Sequence, residues 1–304
     1  ASSGQAIAVQ PDGRILVAGT SNETPPETGL DMVLLRLAQN GNLDPGFATG
    51  GVMIEHRGAI GAQRVRVLPD GRIMVVTSSG LHLYTAQGAP DASFGVDGIW
   101  SPSGSTTPVI DALRRASGYW AVLLRPPPGS VQLRLLTAGG TEVDQGGLSG
   151  SSFSLAPWPK GLVETPAARH YVVGGDLGSG IRDLFAARFD RSLDIAPSYG
   201  TGGITELDFG GNEIVRAVAM QEDGRLLLVG SAPGLGGDTD FLVVRLRPGG
   251  LLDTLFGDGG RVLVDFGGDD VATDIVIDRA GRLLVVGETR QGANTDAALL
   301  RLLP

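Results

Sequence analysis

Three carboxylates, Asp111, Glu164 and Asp274, fall at a similar place in three well-separated segments, each in a short apolar stretch leading to a turn. Two carboxyl groups held about 5–10 Å apart are what glycoside hydrolysis needs, one as acid and one as base or nucleophile. Two arginines, Arg64 and Arg66, occupy the matching place in another segment and could bind an anionic ligand. The simpler expectation is an ion pair between Arg64 and Asp111. Aromatic residues are scarce at 5%, yet Trp100, Trp120, Trp158, Tyr119 and Phe153 gather in the middle of the chain. Exposed faces of Trp120 and Trp158 would suit stacking on sugar rings; the competing reading is that they fill an irregular core. The acidic segments GGDTD (Gly236 to Asp240) and GGDD (Gly267 to Asp270) could supply oxygen ligands to calcium. Neither matches the EF-hand loop or the glycine-rich calcium nonapeptide, so no residue is assigned to a metal and no cofactor is expected.

Other chemistries find no residues. His56, His82 and His170 are the only histidines and none are spaced as metal ligands. No Gly-x-Ser-x-Gly elbow and no phosphate-cradling glycine loop occurs. The net charge of −9, with no cluster of Lys and Arg, excludes a surface that tracks nucleic-acid phosphates. Lys160 is the sole lysine, so nearly every cation is an arginine. Without cysteine there are no disulfides and no thiolate zinc sites, and the redox compartment stays open. No apolar run reaches the roughly 18–20 residues of a membrane-spanning helix, and the first residues have no signal-peptide pattern.

The elements that would carry these groups are repeated. IAVQPDGRILVAG (Ile7 to Gly19) recurs as VAMQEDGRLLLVG (Val218 to Gly230) and IVIDRAGRLLVVG (Ile275 to Gly287). The turn glycines lie 58 residues apart from Gly13 to Gly71, 47 from Gly71 to Gly118, and 57 from Gly224 to Gly281. This is the period of propeller blades rather than of helical repeats. Within a copy, an alternating strand leads through Asp-Gly, read as a two-residue hairpin turn, to a strand apolar on both faces. A strand such as FLVVRLR and a longer turn to a fourth strand complete the unit. With 48 glycines and 18 prolines, and no apolar period of 3.6, helices are not expected.

The expected architecture is therefore all-β: one six-bladed β-propeller domain of four-stranded antiparallel blades. Its blades fall at about 5–57, 61–103, 106–157, 158–211, 212–268 and 269–304. The sixth copy stops one strand short. Either the last blade has three strands or a longer chain supplies the closing strand, and the second reading is preferred. The copies between Thr106 and Gly211 are the most divergent, with RPPPGS in place of the usual loop and Ala168-Arg169 in place of Asp-Gly.

LDTLFGDGGRVLVDFGG (Leu251 to Gly268), NLDPGFATGGVM (Asn42 to Met53), APDASFGVDGI (Ala89 to Ile99) and SLDIAPSYGTGGI (Ser192 to Ile204) resemble the delta-60 repeat, a bacterial β-propeller repeat related to NHL blades. The resemblance covers nearly the whole chain and is weakest from Thr106 to Arg169. It implies large bacterial surface or secreted proteins with no general activity attached.

Several recurrent charges read as parts of the fold. Arg36, Arg134, Arg188, Arg245 and Arg301 share one strand position, and Asp31, Asp183, Asp240 and Asp296 precede four of them by five residues. An ion pair in each blade, or an arginine tying down a neighbouring loop, is expected. Asp44, Asp91, Asp194 and Asp253 are expected to cap backbone turns. The functional expectation is a non-catalytic binding or scaffold module, secreted or at the bacterial surface, with a protein or glycan partner. The alternative is a carbohydrate hydrolase or lyase using Asp111, Glu164 and Asp274.

Overall fold

The computed structural model describes residues 2–21, 31–56, 61–103, 107–127, 129–166, 170–178, 180–234 and 236–304. The chain is a six-bladed β-propeller with almost no helix. Sheet one runs in the order β1 (Ser2–Val9), β2 (Ile15–Ser21), β3 (Asp31–Leu37), β4 (Val52–Glu55), and sheet two as β5 (Ala62–Val67), β6 (Ile73–Thr77), β7 (Gly80–Tyr84), β8 (Ile99–Trp100). Sheet three comprises β9 (Val109–Arg114), β10 (Trp120–Leu124), β11 (Val131–Leu136) and β12 (Glu142–Leu148), and sheet four β13 (Pro157–Glu164), β14 (Tyr171–Leu177), β15 (Asp183–Phe189) and β16 (Ile204–Leu207). Sheet five is β17 (Ile214–Met220), β18 (Leu226–Pro233), β19 (Thr239–Leu246), β20 (Arg261–Val264); sheet six has three strands, β21 (Asp269–Ile277), β22 (Leu283–Gln291), β23 (Asn294–Leu302).

Contacts divide the chain into two compact units, Ala1–Pro127 with Arg134–Asp144, and Pro128–Leu133 with Gln145–Pro304. In the first, the inner faces of sheets one and two enclose Leu16, Leu34, Phe47, Val65, Val75 and Tyr84. In the second, sheets four and five enclose Leu184, Tyr199, Leu228 and Leu242, and sheets five and six enclose Val229, Phe241, Phe256 and Val285. β6, β10 and β14 are buried along their whole length; β10 is wholly apolar, while β6 ends in Thr77 and β14 carries Asp176. The first strands pack on one another: β1 on β5 in the first unit, β13 on β17 and β17 on β21 in the second.

The repeated turn differs from the two-residue hairpin read from the sequence. Gln10 N–H bonds the Arg14 carbonyl, and Gly13 N–H bonds the Gln10 carbonyl. Three residues thus form the loop, a tight turn closed by glycine in the left-handed region, with φ +80° at Gly13 and +85° at Gly71 and Gly224. Only the glycine has positive φ. The aspartate instead works through its side chain: Asp12 and Asp223 each accept the N–H two residues on at 3.0 Å.

Candidate functional site

In copies one and five the recurrent arginine joins the turn aspartate rather than the one five residues earlier, whereas Arg134 pairs with Glu142 and Arg188 donates to Ser198. Arg36 Nε donates to Asp44 at 2.8 Å and Arg245 Nε to Asp253 at 2.9 Å. Residues five apart on a strand point to opposite faces and lie about 16 Å apart, so the expected Asp31–Arg36 and Asp240–Arg245 pairings are geometrically unsuited. Each guanidinium also covers the turn aromatic, 4.7 Å from the Phe47 ring centre and 4.3 Å from that of Phe256. The expectation that such arginines tie down neighbouring loops fits two copies: Arg36 donates to the Ala86 carbonyl and Arg188 to that of Pro248. In copy two, where that strand carries no arginine, Arg72 reaches Asp91 at 2.9 Å. Asp44 and Asp91 also cap their turns, accepting from Gly46 and Ser93 N–H at 3.0 Å.

Each first strand carries a β-bulge, which the sequence reading missed. The registers skip Gln5, Gln63, Ile110, Lys160, Arg216 and Thr273, one residue per sheet. A bulge leaves one residue outside the ladder and re-aims its side chain. The residues just after it are Ala6, Arg64, Asp111, Gly161, Ala217 and Asp274. Copy four therefore contributes Gly161 at this position. Glu164 falls where copy five has Met220, on the opposite face from the position assigned to it. The cause is the turn: Thr165 N–H bonds the carbonyl of His170, five residues on, whereas Gln221 bonds Arg225, four on.

Asp111 belongs to the first unit, Glu164 and Asp274 to the second. Asp111 pairs with Arg66, which donates at 2.7 Å and also reaches the Ala112 carbonyl. Arg64 is half-buried and donates to the Gln63 carbonyl at 2.9 Å. Asp274 is exposed and accepts the N–H of Ile275 at 2.9 Å. Trp120 does not offer a sugar platform. It is fully buried, edge-on to Phe94, with its indole N–H donating to the Ala138 carbonyl at 3.2 Å. Trp100 and Phe153 are buried too, which agrees with the gap-filling reading.

Trp158 is different. It is half-buried at the start of β13, with the Arg182 guanidinium 5.5 Å from its ring centre. Arg182 donates to Asp176 at 3.0 Å, and Lys160, the bulge residue, lies 3.6 Å from the same fully buried carboxylate. Burial pushes the Lys160 ammonium below its ordinary range, with Arg216 and Arg182 adding to the effect and Asp176 opposing it. Burial likewise raises Asp176, against the pull of Lys160 and Arg182. Two cations thus meet at one carboxylate, with Arg216 near enough to Lys160 to act on it, in a chain of net charge −9.

A second cluster of charge, of opposite sign, occurs twice in the same unit. Asp183, Asp208 and Glu213 each bring an oxygen within 4.8 Å of the others, and Asp240, Asp265 and Asp270 do the same one copy later. The second residue of each set opens the sequence Asp-Phe-Gly-Gly, and its carboxylate accepts the N–H two residues on, 2.6 Å for Asp208 and 2.5 Å for Asp265. The third member then turns back on this loop. Asp270 Oδ2 accepts Phe266 N–H at 2.5 Å, and Glu213 accepts Phe209 N–H. Burial raises Asp183, Glu213 and Asp240, and the neighbouring carboxylates of each cluster raise them further. The sequence reading singled out the segments holding Asp240 and Asp270. Asp265, Asp208 and Glu213 were missed, and Asp183 was read only as an ion-pair partner, although Asp-Phe-Gly-Gly is written in both copies.

A hollow of about 820 Å³ lies beside β11 and β12 and is lined by Gly, Ser, Gln132 and apolar side chains including Phe153, without a charge. It contains none of the charged groups above.

Comparison with known proteins places these features on a shared fold. A family model described as a domain of unknown function, DUF5122 β-propeller, matches residues 10–47 and 221–256. No curated protein matches the chain. A crystal structure of a protein of unknown function from Bacteroides caccae is similar with a TM-score of 0.57 at 12% identity, over 92% of this chain and 84% of that one. The periplasmic gluconolactonase PpgL of Pseudomonas aeruginosa aligns with a TM-score of 0.52 at 14% identity, over 86% of this chain and 69% of that one. PorZ, a surface component of the type-IX secretion system of Porphyromonas gingivalis, aligns with a TM-score of 0.51 at 12% identity, over 96% of this chain and 39% of PorZ. At these identities the likeness is one of fold, and the chain is a repeat-built propeller in which two segments match the family model.

Proposed function

We propose that this chain is a non-catalytic binding module, a delta-60-type propeller of a secreted or surface-exposed bacterial protein, whose ligand is an acidic glycan. The observation that carries the reading is the group around Trp158. An aromatic face, the guanidinium of Arg182 and the partly desolvated ammonium of Lys160 meet beside a second bulge cation, Arg216. A partly desolvated ammonium crowded by two arginines is relieved when an anion arrives, and a sugar ring fits the aromatic surface. The bulges of β13 and β17 give this patch its position, since they take Lys160 and Arg216 out of the ladder.

The test is a binding titration against uronate-bearing, sulfated and neutral polysaccharides, with reducing-end release followed on the same samples. The reading expects salt-sensitive binding of the acidic polymers, lost in Trp158→Ala and weakened in Lys160→Met, with no release of sugar ends. Binding confined to neutral polymers, binding unchanged in both variants, or no binding to any polymer would overturn it. Sugar release abolished by Asp111→Asn or Asp274→Asn would replace it with the hydrolase or lyase reading.

A further inference from the structure

We infer that Asp183, Asp208 and Glu213, and one blade later Asp240, Asp265 and Asp270, are two equivalent sites for a hard divalent cation of the calcium type. This inference is independent of the glycan reading.

The coordinating capacity is present in each site. Three carboxylates offer oxygens within 4.8 Å of one another, a spacing that a single ion at ordinary calcium–oxygen distances of about 2.3–2.6 Å can bridge. The remaining positions of a six- to eight-oxygen shell would fall to backbone carbonyls and water. No nitrogen or sulfur ligand is offered, which disfavours zinc and the softer transition metals.

The second observation is the state of the buried members. Asp270 is 0% exposed, Glu213 1% and Asp240 7%. Asp270 Oδ1, Glu213 Oε2 and Asp240 Oδ1 nevertheless have no hydrogen-bond partner. Asp270 spends its other oxygen on Phe266 N–H, and Glu213 is bonded by Phe209 N–H. A buried carboxylate oxygen without a donor is costly unless a cation or proton takes that place.

An internal control comes from the first copy. There the residue corresponding to Asp208 and Asp265 is His56, which bonds Asp31, the counterpart of Asp183 and Asp240, at 3.0 Å. Where copy one supplies an imidazole, copies four and five supply another carboxylate. The charge that balances those carboxylates has to come from outside the chain.

The test uses the full chain stripped with EDTA, titrated with CaCl2 or MgCl2 by calorimetry and followed in parallel by thermal unfolding. Two equivalents of calcium are expected, with affinity in the micromolar to millimolar range, and a rise in the melting midpoint. Asp208→Asn and Asp265→Asn change exposed residues, so folding is little at risk. Each should weaken one of the two equivalents by roughly tenfold or more, because affinity follows the number of ligand charges. The double variant should lose the calcium response and, in EDTA, melt above the wild type, since a like charge has been removed from each cluster. No response to either ion up to several millimolar would overturn the inference, whatever the variants do in EDTA. So would a calcium response that survives in the double variant.

Discussion

Arg66 on β5 clasps Asp111 on β9 at 2.7 Å, joining the first strands of two successive blades. The carboxylate side chain is only 4% exposed while the arginine is 37% exposed. The pair is therefore asymmetric: removing the cation takes a charge partner from a buried anion that keeps the Ala112 N–H at 2.8 Å, and removing the anion leaves an arginine that water can reach. Arg66→Met is expected to destabilise by about 1–3 kcal/mol, discounted from a fully buried pair because solvent screens the guanidinium. Asp111→Asn should cost less than Arg66→Met. Urea unfolding of both variants checks the order, and the reverse order would mean that Arg66 contributes through packing of its stem alone.

Trp120 and Trp158 both fall in the divergent middle of the chain and have opposite fates. Trp120 is buried to 0% exposure against Phe94 and the Arg114 guanidinium, so Trp120→Ala should cost about 3–5 kcal/mol. Trp158→Ala removes a half-buried ring stacked by Arg182 and should cost about 1 kcal/mol or less. Thermal unfolding of the two variants separates core from surface, and the difference decides which tryptophan can be used to probe binding.

That contrast shows what the chain's pattern makes legible. The three-times-written hairpin and the LDxxF turn set the blades, because strand alternation and turn chemistry are local and leave their mark on consecutive residues. The side-chain partners were harder to read. Arg36 and Asp44 both recur visibly, but their union depends on the turn folding back onto β3, a relationship with no fixed sequence spacing. The bulges at Lys160 and Arg216 leave no signature, since a bulge inserts one residue into an otherwise normal alternation. Glu164 was misplaced by the single extra residue between Thr165 and His170. The paired carboxylate clusters draw on residues some 30 positions apart, and only the repeated Asp-Phe-Gly-Gly could have pointed to them.

The turn aspartate should matter more than the arginine that crosses to it. Asp253 is 3% exposed and receives Arg245 at 2.9 Å, Arg225 at 3.2 Å and Arg247 at 3.4 Å. Arg245→Ala leaves two cations on the carboxylate and should cost about 1–2 kcal/mol, part of it from the lost contact with Phe256. Asp253→Ala leaves three guanidiniums without their shared anion and should cost about 2–4 kcal/mol. Chemical denaturation of both variants and the double variant gives the coupling directly. Equal costs for the two single changes would show that Arg225 and Arg247 contribute nothing to holding the turn.

Acid should affect the two classes of carboxylate in opposite senses. Asp44 is held below its ordinary value of 3.8 by the Gly46 N–H and the Arg36 guanidinium, and Asp70 is held below it by Arg72 and Arg114. Their folded forms bind protons less readily than the unfolded chain, so their contribution is complete above about pH 4 and is lost as pH falls through the depressed folded values. Asp183 and Asp240 are raised above the same 3.8, and Glu213 above 4.5, by burial and then by neighbouring carboxylates. Their folded forms bind protons more readily, so their contribution is complete at or below the ordinary values and is lost as pH rises through the elevated folded ones. In EDTA, the wild-type melting midpoint should therefore decline as pH rises from about 4 across the elevated range, and the Asp208→Asn, Asp265→Asn double variant should flatten that decline. Calcium should reverse the wild-type slope over the same range, because ion and proton compete for the same oxygens and the ion wins as the carboxylates ionise. A wild-type profile that is flat in EDTA would show that the clustered carboxylates carry no net strain in the folded chain.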